Sequence, residues 1–313
     1  MINFRYHVVS LTAVFLALAI GLVVGTAALN NPLSDALKNR VDALSKQNQG
    51  YRDRINQLET QAGKQERFTQ EAAPIMLPGT LTGRRVLVVS MQQAGPSVAK
   101  VLDMLRLAGA KVAGQVEIQD KFLDPASKAS LLDVANAALP AGITGVPPNS
   151  NGVETSSFLL AAVLVAHRPP LTLSAGAVKT VVTDYKEGNF IVPTGDLSEP
   201  AEAVVVVAGA AYNDADADAK NANVVTMVEQ FAMVGRPIVA AASGAAGPGN
   251  VISTIRGEQG LARTIATVDN VSTWDGQVAV PLALAEYLST TKPGHYGVAA
   301  GAASMLPKQK PQA

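Results

Sequence analysis

From Val8 to Leu29 the chain runs for twenty-two residues without a charge. At helical rise this covers roughly 33 Å, enough to cross a hydrocarbon core of about 30 Å. Arg5 precedes the run, and the first charge beyond it is Asp35. Positive-inside reasoning makes residues 1–7 a cytoplasmic tail and residues 8–29 a single-pass anchor of the cytoplasmic membrane, with everything later outside. An outer membrane is the alternative location. Thr26-Ala27-Ala28 loosely fits a signal-peptidase site, but the run exceeds the about 7–15 apolar residues of a signal peptide, so a retained anchor is expected. Gly21 and Gly25 form a small-xxx-small pair that would let two such helices approach closely.

Asn31-Pro32 is expected to break the span, with Ser34 or Asp35 capping a new helix. Residues 33–71 then read as a coiled coil. Its seam is Leu37, Val41, Leu44, Asn48, Tyr51, Ile55, Leu58 and Ala62, at alternating steps of four and three. Val41, Asn48, Ile55 and Ala62 take a positions; Leu37, Leu44, Tyr51 and Leu58 take d. An asparagine at a fixes register and favours two strands. In a parallel homodimer Arg54 would face Glu59 of the other copy and no like charges would oppose each other. The flank is mostly basic, so an acidic partner helix fits as well. An amphipathic helix packed on its own domain is the plain alternative.

Pro74 and Pro78-Gly79 end that helix, and residues 80–300 read as an extracytoplasmic α/β domain, with a flexible tail over 301–313. Arg85–Ser90, Lys111–Ile118, Ala203–Val207 and Pro237–Ala242 are strand-like, apart from the second mostly apolar and β-branched. Helical spacing runs through Val98, Val101, Leu102 and Leu105 until Gly109, and again over Pro125–Leu139 and Ala219–Met233; Ser157–Ala166 is a short, buried apolar helix. Alternation of this kind predicts a mostly parallel sheet covered by helices on both faces. Ala141–Gly152 and Ala245–Asn250 are loop-like.

Chemistry is scarce. Twenty-five basic residues balance twenty-five acidic ones, leaving no global field to draw in nucleic acid. There is no cysteine, hence no disulfide, thiolate metal site or thiol nucleophile. The strand ending at Ser90 leads into Met91-Gln92-Gln93-Ala94-Gly95-Pro96, and the strand ending at Val207 into Ala208-Gly209-Ala210-Ala211. Neither has the glycine spacing or lysine of a phosphate loop. Asp214, Asp216 and Asp218 lack the glycine and distal glutamate of a calcium loop. His7, His167 and His295 are far apart, and the methionines are scattered, whereas a soft copper site needs such ligands together. No catalytic group, metal ligand or cofactor site is expected from spacing, so an enzyme is not expected.

Met1-Ile2, Arg5-x-His7-x-Val9-Ser10-Leu11 and Ala13–Ala19 resemble the start of the actinobacterial MctB family. Thr267-Val268-Asp269, Ser272–Tyr287 and Gly294-His295-Tyr296-Gly297 resemble its end. This resemblance covers essentially the whole chain. It implies an envelope copper transport protein, with copper as a possible ligand. It also implies a second role, because the SteB proteins of that family act beside SteA in cell division and in control of septal peptidoglycan hydrolysis.

A lone apolar helix offers no polar path across a membrane, so transport would need other copies or proteins. A coil of this length reaches on the order of 50 Å and can present the distal domain or engage a helical partner. The residues therefore favour an anchored scaffold acting by self-association or on a helical partner, and the resemblance implies cell division as its setting, with a SteA-like protein or a septal hydrolase as the partner. Copper transport is the alternative.

Overall fold

The computed structural model describes residues 4–148, 151–166, 173–244, 247 and 249–308, with backbone alone for 28–34. Two compact units divide the chain, Met1–Gln65 and Glu66–Ala313.

The first unit consists of one helix, α1, which spans Phe4–Met76 and so extends into the second. Over Phe4–Ala27 it is long and apolar enough to cross a membrane. The expected break at Asn31-Pro32 does not occur. A proline fixes φ near the helical value and removes one hydrogen bond at a cost of about 3 kcal/mol. Long helical stretches on both sides absorb that loss. At its other end α1 continues past residue 71 because Ala73, Met76 and Leu77 find a core to bury against.

Glu66–Ala313 folds around one sheet of seven strands: β1 (Arg85–Met91), β2 (Lys111–Ile118), β3 (Ile191–Thr194), β4 (Ala203–Ala208), β5 (Ile238–Ala242), β6 (Ala266–Val268) and β7 (His295–Tyr296). Their spatial order is β3-β2-β1-β4-β5-β6-β7. All neighbours pair in parallel except β3, which runs antiparallel to β2 at one edge. The fold is α/β, with a mostly parallel sheet flanked by helices.

The valine runs are explained by two-sided burial, since the pleat sends alternate residues to opposite layers. Leu87, Val89 and Met91 of β1, with Val204 and Val206 of β4, join one core. Over that face lie α3 (Asp120–Leu123), α4 (Lys128–Ala138), α5 (Gly152–Leu164), α6 (Ala175–Glu187), α7 (Ala217–Met233) and α8 (Val251–Gly257). Val86, Val88, Ala203, Val205 and Val207 join the other core, with the last turns of α1, α2 (Pro96–Leu107) and α10 (Trp274–Thr290). The four-residue α9 (Gln259–Ala262) precedes β6.

Several elements differ from the expectation. The helix expected over Pro125–Leu139 begins as a 3-10 turn, with α4 starting at Lys128. The apolar helix begins earlier, at Gly152, where the Asn151 side chain accepts from the Val153 amide at 3.2 Å. The tail expected to be free from residue 301 is tied to the sheet edge through residue 308: the Ala303 amide donates to the His295 carbonyl at 2.8 Å, the Gly297 amide donates to Ser304 at 3.0 Å, and Leu306 packs on the second core. A two-residue edge strand leaves backbone groups that this returning segment satisfies.

Candidate functional site

Doubly wound sheets bind ligands where the strand order reverses, at the carboxyl ends of the strands. Here the chain leaves β1 for β2 on one side and returns to β4 on the other, so the switch point lies between Met91 and Ala208. A small crevice opens there, lined by Gln93, Gly209, Tyr212, Asn221 and Asn250 among others. The loops around it hold each other. A Cβ on Gly209 would lie 2.6 Å from the Gln93 carbonyl oxygen, so only glycine lets the two loops meet. Asn221 accepts from the Tyr212 amide at 2.8 Å and donates to the Tyr212 carbonyl at 3.2 Å. The Tyr212 hydroxyl donates to Asp120 at 2.9 Å. Burial, then Asp120 and Asp214, push its pKa upward and keep the phenol neutral. The loops that frame this crevice thus close on one another through a tight main-chain contact and side-chain hydrogen bonds.

A denser polar site lies at the far side of the sheet. Arg256 on α8 donates from its η1 nitrogen to Asp269 at 2.7 Å and to the Ala300 carbonyl at 3.1 Å, from its η2 nitrogen to the Tyr296 carbonyl at 2.8 Å, and from Nε to the Thr267 hydroxyl at 2.9 Å. Asp269 also accepts from the amides of Val298 at 2.8 Å and Ala299 at 3.1 Å. The Thr267 hydroxyl, which accepts from Arg256, also shares a hydrogen bond with His295 Nδ1 at 2.9 Å. Burial first, and then Arg256, lower the pKa of His295 and so favour the neutral ring. Tyr296 closes the group by donating its hydroxyl to Glu286.

The eight residues of the predicted seam all lie on α1, and each is exposed. Leu37 is 67% exposed, Leu44 54%, Ile55 53% and Leu58 57%. Tyr51 lies on the same stripe, its hydroxyl accepting from Gln47 at 2.9 Å. The seam residues are therefore aligned on one helix, uncovered by their own chain, and distant in sequence from both sites above. Asp214, Asp216 and Asp218 are exposed; Asp214 pairs with Lys220 at 2.5 Å, and Asp218 sits in the first turn of α7.

The network around Arg256 is assembled from Thr267-Val268-Asp269 and Gly294–Gly297, the segments whose resemblance to the MctB family was noted above. A sequence model of the family described as copper transport outer membrane protein, MctB, matches residues 1–307. The chain belongs to the MctB family. A protein of Mycobacterium leprae (strain TN) named copper transporter MctB is 30% identical over 322 residues, covering 99% of this chain and 100% of that relative. Proteins of the same name from Mycobacterium tuberculosis (strain ATCC 25618 / H37Rv) and Mycobacterium bovis (strain ATCC BAA-935 / AF2122/97) are 28% identical over 319 residues, with the same coverage.

The family name invites a test of the donors for copper. Among the described residues no three histidine, aspartate or glutamate side chains gather in a set that could hold a metal ion. His7 is exposed on α1, His295 Nδ1 is held by Thr267, and His167 lies outside the described residues. Met91 and Met227 are buried in one layer and Met104 in the other, while Met233 and Met305 are exposed. The MctB-matching terminal motif thus holds the edge of the sheet together and presents no soft ligand set.

Proposed function

We propose that this chain is an envelope copper-handling protein of the MctB kind that acts as a membrane-anchored protein–protein module, with copper as the cargo of the assembly it serves. The family and its relatives named copper transporter MctB support the copper part. The module part rests on one observation: an unbroken helix whose first part can span a membrane and whose second part carries an exposed apolar seam. A single span has no polar path of its own, so copper movement would be carried by further copies or proteins joined to it. Arg5 before the span and Asp35 beyond it favour an amino terminus in the cytoplasm and the sheet domain outside.

A SteB-like role in cell division is the second reading, favoured by the same exposed seam, which suits a helical partner. One experiment separates the two. A strain lacking the chain is scored for growth in copper and for unseparated cells, then complemented with wild type or with Leu44→Asp/Leu58→Asp. A copper-sensitive deletion strain whose tolerance is restored by wild type and not by the seam variant is the expected result. Normal copper tolerance with chained cells would replace the first reading with the second. Full rescue by the seam variant would remove the seam from either role.

A further inference from the structure

The stripe on α1 also indicates what covers it. In a heptad repeat the stripe drifts by only about 20° per seven residues on a straight helix, so Leu37 through Ala62 stay on one face. This stripe is uncovered along its length. Three observations favour a second copy of this chain over an unrelated helix.

Two chains anchored by their first segment in one membrane meet in parallel, which is the orientation the seam needs. In register, Asn48 meets Asn48 of the second copy, and each amide offers both a donor and an acceptor to the other. Unrelated apolar residues would leave that amide desolvated without a partner. The flanks agree. Position g of one helix meets the following e of the other, pairing Arg40 with Ser45, Gln47 with Arg52 and Arg54 with Glu59. No like charges meet, and the Arg54–Glu59 attraction occurs twice by symmetry.

The third observation concerns the membrane. Because α1 is one helix from Phe4 to Met76, the register of the coil carries into the span. Counting back by sevens puts Leu16 and Val23 in d positions and Ile20 and Ala27 in a positions. Gly21 and Gly25 fall at b and f, on the opposite side.

We infer that two copies pair in parallel from within the membrane up to Ala62, with Leu16, Ile20, Val23 and Ala27 between the spans and the Gly21/Gly25 face turned outward. The inference rests on the anchored-module reading and names its partner as a second copy of the chain.

The chain has no cysteine, so single cysteines report cleanly. Full-length Leu16→Cys, Val23→Cys, Leu44→Cys and Leu58→Cys are oxidised with diamide in membranes and compared with Gly21→Cys, Gly25→Cys and Asp42→Cys on non-reducing gels. A disulfide needs Cα atoms within about 7 Å, so the first four should give about tenfold more dimer than the last three. No dimer at Leu44→Cys and Leu58→Cys overturns the pairing. Dimer at those two, with Gly21→Cys or Gly25→Cys matching or exceeding Val23→Cys, overturns the shared register in the membrane. These outcomes are independent of the copper phenotype. A copper-sensitive deletion strain with an uncross-linked seam keeps the module reading and removes the second copy. Strong seam cross-links in a strain whose deletion leaves copper tolerance intact support the pairing and remove the copper reading.

Discussion

Arg256 and Asp269 form an ion pair at 2.7 Å with side chains only 5% and 0% exposed, joining helix α8 to the end of strand β6. Such a pair is a weak net stabiliser when intact, but breaking it strands a buried charge. Asp269→Asn should therefore cost about 3–5 kcal/mol. The double variant Arg256→Met/Asp269→Leu should recover part of that loss, because no charge is left unpaired. The chain's single tryptophan, Trp274, opens α10 near this network, and its fluorescence during urea unfolding of the full chain in detergent reads both.

Gly297 sits beside the same carboxylate, and its φ of +127° is one that side-chain-bearing residues rarely adopt. A Cβ there would collide with the Asp269 carboxylate. Gly297→Ala should cost about 1–3 kcal/mol in backbone strain, with a further about 1–3 kcal/mol from overpacking. Gly50→Ala is the matched control, because Gly50 is helical with nothing within 4 Å of its Cβ position. That change should stabilise the helix by about 1 kcal/mol, seen as a rise in the midpoint of the helical signal in circular dichroism.

His295 makes the edge of the sheet sensitive to acid. Its folded pKa lies below the ordinary value of 6.5, because burial and Arg256 disfavour the charged ring. The stability it contributes is present above pH 6.5 and is lost as pH falls through the lower, folded value. His295→Gln should be less stable than wild type at pH 8, and the gap should narrow below pH 6.5. A constant gap in unfolding midpoints between pH 8 and pH 5 would show that the ring does not titrate against folding.

How far the sequence could be read follows from the same geometry. β1, β4 and β5 are legible because burial on both faces demands unbroken apolar runs, as in Ala203–Val207. β6 and β7 have three and two residues, too few for any period, and Pro281 inside the buried helix α10 hides a helix that the surrounding apolar run would otherwise announce. The Arg256 network was invisible for another reason. Its partners are 11 to 44 residues away and meet only through the register of β6 and β7. The family resemblance marked Thr267–Asp269 and Gly294–Gly297 but carried no role for them. The helix that carries the apolar stripe was legible, though not its continuity through Pro32, since a helical repeat is local and needs no tertiary contact to show.

The last prediction concerns Asn48, the one polar residue among the eight of the seam. In the paired coil its amide is withdrawn from water and satisfied only by the other copy, which costs stability and ties the two helices to one register and one count. Replacing it with leucine removes that desolvation and buries an alkyl side chain worth about 1.5–3 kcal/mol per chain. Asn48→Leu should therefore raise the melting temperature of the helical signal while weakening the preference for two strands. Without Asn48 no polar residue remains in the seam to fix the number of strands. Sedimentation of the full chain in detergent should change from one dimeric species to a mixture of larger ones. If Asn48→Leu leaves both mass and melting temperature unchanged, residue 48 faces solvent and the seam is not where chains meet.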